Sequence, residues 1–340
     1  MEREELIERV EAVRADAPRL RTKEVADRVG APELLVTLLD ARARRLRADP
    51  GALLRGLVGV GPAMALTRNR WCVHERRGAW SEPELTPHVG TVVGPDIDLR
   101  IFPRHWAHVV ATVVDNARGP LPSIQVFDAR GEAVHKVFCT PATDRAAWGD
   151  LVEALRDPAP GPLRVEAPTP VVSDREDADI DADGLRGAWA ELRDTHDFFP
   201  MLRTFAVGRR QALRLAGRPW ARPVDRVAAV ENALRGAAAT GQAIMVFVGN
   251  PGCIQIHTGP VRTVAWRGPW LNVLDPDFDL HLDTDGIADA WVVEKPTVDG
   301  PVRSLELYAA GGELIAQLFG ARKPGKPEDP AWSALVAGLA

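Results

Sequence analysis

Asn69-Arg70-Trp71-Cys72-Val73 is answered later in the chain by Asn250-Pro251-Gly252-Cys253-Ile254, with Asn, Cys and an aliphatic residue in the same places. The spacing is 181 residues, from 69 to 250, and two further blocks keep it. Gly94-Pro95-Asp96-Ile97-Asp98-Leu99-Arg100 falls on Asp275-Pro276-Asp277-Phe278-Asp279-Leu280-His281, and Ser123-Ile124-Gln125-Val126-Phe127 falls on Ser304-Leu305-Glu306-Leu307-Tyr308. Three blocks in one register mark an internal duplication. Two long copies exclude a solenoid or propeller, whose repeats are many and much shorter.

The 340 residues suffice for two domains of about 150 each. At 46% apolar, 26% charged and net charge −5, the chain has the composition of an ordinary soluble protein, with no overall attraction to nucleic acid or anionic membranes. Met1-Glu2-Arg3-Glu4-Glu5 leads into an amphipathic helix rather than a signal-peptide core. No run of about 18 apolar residues would span a bilayer, so a cytoplasmic location without membrane insertion is expected. The three cysteines form no CxxC pair, which points to buried structural thiols in a reducing compartment rather than zinc.

Residues 2–56 read as helices, with Leu6, Val10 and Val13 at helical spacing and Pro32 at a plausible first helical position. Residues 60–140 read as short β-rich segments punctuated by Gly and Pro, ending in a tight hairpin from Phe127 into Val134, and a helix from Asp144 to Arg156 closes the copy. A Pro-rich and then acidic stretch, 157–184, reads as a linker. Leu185–Leu215 is helical again, and 243–319 repeats the strand pattern. The expectation is an α+β fold with two similar halves, residues 1–156 and 185–340, each with N-terminal helices and a large antiparallel sheet.

The helical start of the second copy carries Asp194-Thr195-His196-Asp197-Phe198-Phe199, with Arg203, Arg209 and Arg210 following. Imidazole, aromatic rings and guanidinium groups are a set that haem could use for iron, macrocycle and propionates. A helix cap at Thr195 with a core phenylalanine pair explains the same residues without a ligand. Matching Val29-Gly30 to Val207-Gly208, an offset of 178, puts Pro18 opposite His196, and the 181 register puts Arg100 opposite His281. The scaffold is duplicated and the chemistry is not.

At these residues the chain resembles the bacterial hemin-degrading factors, cytoplasmic haem-utilisation proteins that serve haem transport and iron acquisition. The resemblance runs nearly end to end. It is carried by Gly94-Pro95-Asp96-Ile97-Asp98-Leu99-Arg100, Thr195-His196-Asp197-Phe198-Phe199, the segment from Val246 to Gly259, the segment from Gly268 to Leu282, and Phe319-Gly320-Ala321-Arg322-Lys323-Pro324-Gly325. It implies one haem b (iron protoporphyrin IX) held between the halves for transfer or oxidative degradation. His196 matches the axial iron ligand; Arg100 matches the arginine of the opposite face, where it would contact water or oxygen, since a guanidinium only donates hydrogen bonds. Arg209, Lys295 and Arg322 match basic positions around the propionates, with Phe102, Phe247 and Gln317 as lining. A haem importer and a haem oxygenase or other acceptor are the partners it implies.

Two other patterns compete. Thr22 to Leu35 looks like a helix-turn-helix with basic Arg42, Arg44, Arg45 and Arg47 downstream, a DNA-binding alternative. His105-x-x-His108 would pair two metal ligands if it lay on a helix, though no third ligand is within reach.

Overall fold

The computed structural model describes residues 2–116, 119–167, 174–322 and 325–340; residues 168–173 of the expected linker, and Lys323 and Pro324 of the last family motif, lie outside the described residues. Helices and two large antiparallel sheets make up the fold, and the chain divides into two compact units. The first unit begins with α1 (Arg3–Asp16), α2 (Thr22–Val29) and α3 (Glu33–Thr37), then β1 (Arg44–Leu46) and α4 (Pro50–Val58). The strands of this stretch of chain follow as β2 (Ala63–Arg68), β3 (Cys72–Gly78, whose first three residues belong to the second unit), β4 (Pro83–Leu85), β5 (Gly90–Val93), β6 (Asp98–Ile101), β7 (His108–Asn116), β8 (Gly119–Phe127) and β9 (Ala133–Cys139), before α5 (Arg145–Ala154).

The second unit opens with α6 (Ala182–Ala190), α7 (Phe198–Thr204) and α8 (Arg209–Ala216), then β10 (Ala221–Val224) and α9 (Ala228–Thr240). Strands β11 (Ala243–Asn250), β12 (Cys253–Pro260), β13 (Val264–Arg267), β14 (Trp270–Leu274), β15 (Phe278–Asp283), β16 (Asp289–Lys295), β17 (Val302–Tyr308) and β18 (Leu314–Gly320) precede α10 (Pro330–Ala337). The same pairing recurs in each unit: β1-β7-β8-β9-β2 in the first and β10-β16-β17-β18-β11 in the second, all antiparallel. Three-stranded meanders, β4-β5-β6 and β13-β14-β15, complete the set.

The repeated asparagines explain why the opening block was kept. Asn69–His74 belongs to the second unit and Asn250–Gln255 to the first, and both ends of these segments are 181 residues apart. Within the second unit the Asn69 amide donates to Gly249 O (3.2 Å) and Ile315 O (2.8 Å), while its oxygen accepts from Trp71 N and Cys72 N. Asn250 does the same in the first unit, donating to Arg68 O (2.9 Å) and Val134 O (2.8 Å) and accepting from Gly252 N and Cys253 N. A side-chain amide that satisfies two carbonyls and two N–H groups at a turn fixes that turn, and asparagine carries two donors and an accepting oxygen on a short stem.

Each core also takes the other repeat's cysteine. Cys72 lies in the cluster with Leu234, Val246, Leu271 and Leu305, and Cys253 in the cluster with Leu54, Ile97, Val126 and Trp148. Both are fully buried and Cys139 is buried too, so the thiols are structural as expected. Burial alone pushes the Cys72 thiol up; for Cys253 burial, opposed by a hydrogen bond from Thr67, raises it to about 12.

Helix boundaries follow local chemistry. Gly30, with φ of 66°, ends α2 in the left-handed conformation, and Gly241 ends α9 at 68°, a conformation that costs glycine nothing. Asp144 caps α5 by accepting from Ala146 N and Ala147 N. Three details differ from the sequence reading. Pro32 caps α3 from outside rather than standing inside its first turn. Arg44–Leu46 is a strand, because pairing with β7 at the sheet edge overrides local helical pattern. Ala228–Thr240, given no element by the sequence reading, forms α9 and buries Ala229, Val230, Ala233, Leu234 and Ala237.

The helical hairpins align differently from the Val-Gly match. α2 starts at 22 and α7 at 198, and the residues capping α3 and α8 are Pro32 and Gly208, so both comparisons give an offset of 176. Leu20, not Pro18, therefore stands opposite His196. The first copy still has no histidine there.

Candidate functional site

The second unit carries most of the expected site residues. Asp194 caps a short 3-10 turn, Thr195–Asp197, that leads directly into α7; its carboxylate accepts from His196 N at 2.8 Å. Asp194, not Thr195, is thus the cap. The same carboxylate oxygen lies 2.6 Å from His196 Nδ1, and the imidazole is 93% exposed. Hydrogen bonds from His196, the backbone N–H foremost, hold the Asp194 carboxyl below the usual carboxylate range. With Nδ1–H donating to Asp194, the Nε2 lone pair is free, which is the tautomer a metal-binding histidine needs.

The two phenylalanines part ways. Phe198 is buried edge-on against Trp189, with ring centroids 4.8 Å apart. Phe199 is 56% exposed, so only one member of the expected core pair is core. The Arg209 guanidinium lies 5.2 Å from the Phe198 centroid and 5.3 Å from that of Phe199, and Lys295 Nζ lies 4.5 Å from Phe198. Cations over ring faces are attracted by the ring quadrupole, the more so when desolvated.

Both cations reach a residue the sequence reading did not single out. Glu306 is fully buried on β17. Its Oε2 accepts from Arg209 Nε (2.9 Å) and the Tyr308 hydroxyl (2.5 Å). Its Oε1 accepts from Arg209 Nη2 (2.6 Å), Ser304 Oγ (2.9 Å), Gln317 Nε2 (2.9 Å) and Lys295 Nζ (3.2 Å). Burial alone would raise the Glu306 pKa, but the charges of Arg209 and Lys295 outweigh it and hold the carboxyl well below its ordinary range. For Lys295 burial wins over the attraction of Glu306, and its pKa falls to about 8.

The signal for Glu306 was present. Strand alternation puts Ser304, Glu306 and Tyr308 on one face, and at 181 residues' spacing Glu306 replaces a neutral Gln125. A repeat-breaking charge in an apolar strand is the kind of departure that also singled out Arg100.

The other site residues are placed as follows. Phe247 on β11 pairs with Gln317 on β18 and packs edge-on against Phe319 at 5.0 Å, beside the Glu306 cluster. Arg322 is ion-paired with Asp299 at 3.6 Å. Arg100 is on β6 in the first unit, paired with Asp98 and donating to Leu99 O at 3.1 Å. Phe102, in the same unit, donates its backbone N–H to Gly252 O at 3.0 Å.

The competing patterns fare poorly. α3, which would be the recognition helix, has five residues, four of them buried. Arg42 is held by Asp40 and Asp115, Arg45 by Gly161 O and Arg47 by Ala154 O. A groove-reading helix must present its side chains to solvent, and this one does not. His105 ends a 3-10 turn and His108 begins β7, so they share no helix face. Among the described residues no group of three or more His, Cys, Asp or Glu could hold a metal ion, and no helix is long and apolar enough to cross a membrane.

Comparison with known proteins adds identity to this geometry. The family of the haemin-degrading HemS.ChuX domain matches residues 28–155 and again 206–339. The hemin transport protein HmuS of Yersinia pestis is 37% identical over 332 residues, 96% of this chain and 94% of that one. Holo-PhuS, a heme-binding protein from Pseudomonas aeruginosa, superposes with a TM-score of 0.95 at 47% identity, covering 100% of this chain and 99% of its own. The heme degrading enzyme ChuS of Escherichia coli O157:H7 superposes at 0.92 with 35% identity, covering 99% of each chain. This chain belongs to the haemin-degrading HemS.ChuX domain family, with the domain present twice.

Proposed function

We propose that this chain binds one haem, iron protoporphyrin IX, with His196 as the axial ligand, and serves haem utilisation by handing the haem on or opening it oxidatively. The observation that carries the reading is an exposed imidazole whose Nδ1 is pinned by Asp194, leaving Nε2 outward. Exposed Phe199 supplies an apolar face beside it, with Arg209 over its ring and Lys295 over that of neighbouring Phe198. Imidazole, ring and cation are the donor set that iron, macrocycle and propionate require. When bound, haem supplies the iron and the redox chemistry; the chain supplies ligation, desolvation and charge. Arg100 enters on the family resemblance, as a hydrogen-bond donor to water or oxygen rather than an iron ligand.

The test is a titration of ferric haem into the purified chain. A sharp Soret band is expected, and His196→Ala must shift or abolish it; an identical spectrum and affinity in the variant would remove His196 from the iron. Adding a reductant and oxygen with catalase present then separates the two modes of handling. Loss of the Soret band with iron release and an open-chain product marks an enzyme, whereas bleaching that catalase abolishes marks a carrier.

A further inference from the structure

The Glu306 cluster is over-supplied with donors. Six hydrogen bonds converge on one carboxylate, four of them on Oε1. An oxygen of an ionised carboxylate has about two lone-pair sites. The donors on Oε1 therefore cannot all be satisfied at once. Charge is out of balance in the same sense: Arg209 and Lys295 bring two positive charges against the single negative charge of Glu306, in a place where the carboxylate is fully buried and Lys295 is 4% exposed. A buried unbalanced cation is costly until an anion meets it.

The donors are not equivalent. Arg209 forms a two-pronged fork, Nε to Oε2 and Nη2 to Oε1, the strongest arrangement a guanidinium and a carboxylate can make. Tyr308 braces that fork by lying 2.9 Å from Arg209 Nε while donating to Oε2. Lys295, at 3.2 Å, makes the longest of the six bonds, and Gln317 shares the crowded oxygen with it.

We propose that Glu306 is a positioning residue: an internal carboxylate that keeps Arg209 fixed and holds Lys295 and Gln317 in place as ready donors for a carboxylate of the incoming ligand. The inference rests on the haem reading above, whose ligand carries two propionates. Glu306 stands in for the ligand's anion before it arrives. When it does, Lys295 and Gln317 turn from the crowded Oε1 to the new carboxylate, the Arg209 fork stays, and the positive excess is neutralised. The site is formed in advance, so binding does not have to order three long side chains at once.

The sign of the effect separates this role from simple charge balance. If Glu306 only neutralised its neighbours, Glu306→Gln would leave more positive charge and bind an anionic ligand as well or better. As a positioning residue, its loss loosens Arg209 and Lys295 and binding weakens. Ferric protoporphyrin IX and its dimethyl ester, which lacks both negative charges, are titrated into wild type, Glu306→Gln and Tyr308→Phe, following the Soret band and checking the fold by thermal melting. The expected result is a tenfold or greater loss of affinity for the diacid in Glu306→Gln, a loss of about threefold in Tyr308→Phe, and unchanged ester binding in both. Tyr308→Phe keeps every charge and removes one brace, so it carries the test if Glu306→Gln does not fold. Equal or tighter diacid binding in the variants, or wild type that does not prefer diacid to ester, overturns the positioning role while haem binding stands. A wild-type chain that gives no Soret band overturns the haem reading, and this inference with it.

Discussion

Each unit buries one carboxylate against two cations, and the two units assign the charges to opposite partners. In the first, Glu33 at the start of α3 is fully buried and meets Arg68 of β2 and Lys136 of β9, the latter at 2.6 Å. In the second, the first residue of α8 is Arg209, and the carboxylate has moved to β17 as Glu306. The strand positions reverse with it: Gln125 and Lys136 of the first unit stand where the second has Glu306 and Gln317. The common property of the two clusters is the sum, one acid and two bases, rather than the identity at any position. Burial explains this, because a charge taken out of water must be compensated, and either partner can supply the compensation. What differs is the continuation. In the second unit the cluster's cations lie over the rings of Phe198 and Phe199, which follow exposed His196 in the chain, whereas in the first Leu20 takes the place of His196 and packs against the apolar cluster that includes Val10, Val25 and Val36.

The largest expected effect tests whether the first unit's cluster is structural only. Glu33→Gln leaves buried Lys136 and part-buried Arg68 without their carboxylate, which costs about 3–5 kcal/mol when one partner of a buried pair is removed. Urea unfolding should show that loss, and haem titration should give the wild-type affinity and spectrum. If Glu33→Gln weakens haem binding as much as Glu306→Gln does, the division between a structural and a ligand-receiving cluster is gone.

The duplication, the fold class and most helices and strands were legible in the sequence, because hydrophobic period and turn residues are local signals. His196 and Arg100 stood out by breaking the repeat. The charge reversal was not legible. Glu33 and Arg209 are equivalent only when the hairpins are set 176 apart, and that spacing is fixed by where the helices start and are capped, which the Val-Gly match placed two residues off. Glu306 broke the repeat too, but an acid within Leu305-Glu306-Leu307 reads as a solvated strand position until the strand is known to be buried on both faces. Asp194 needed geometry, since only the turn shows one carboxylate oxygen serving both His196 N and Nδ1.

A second prediction uses the acid–base character of the Glu306 cluster. Burial lowers Lys295 to about 8, against the opposing pull of Glu306 and with Arg209 adding repulsion. Above that pH the free chain loses the ammonium that a ligand carboxylate would meet, a charge-assisted bond worth about 1.5–3 kcal/mol. Haem affinity should fall above pH 8 by up to about tenfold per pH unit, and Lys295→Met should flatten the profile. Stability moves the other way. A lysine depressed in the folded state binds fewer protons there than in the unfolded chain between about 8 and the ordinary 10.5, so this group's contribution to stability rises with pH across that window. Affinity falling while stability rises is the pattern that identifies Lys295, since global alkaline unfolding would lower both.

The smallest effect separates capping from ligand orientation at Asp194. Asparagine caps a helix start about as well as aspartate, so Asp194→Asn should retain the bond from His196 N and melt within a degree or two of wild type. The amide cannot hold the imidazole as a carboxylate does: it carries no charge, and its NH2 end can turn toward Nδ1 and favour the tautomer with the proton on Nε2. Loss of such an outer partner typically costs 10- to 100-fold in metal affinity, and an exposed pair, 62% open at Asp194, belongs at the low end because solvent screens it. About a tenfold weaker haem affinity is expected, with a shifted Soret maximum and no change in the preference for diacid over ester. That last constancy matters most, because it assigns Asp194 to the iron end of the site and Glu306 to the propionate end. A variant that loses diacid preference as well would join the two ends into one unit and leave the contrast between the repeats resting on His196 alone.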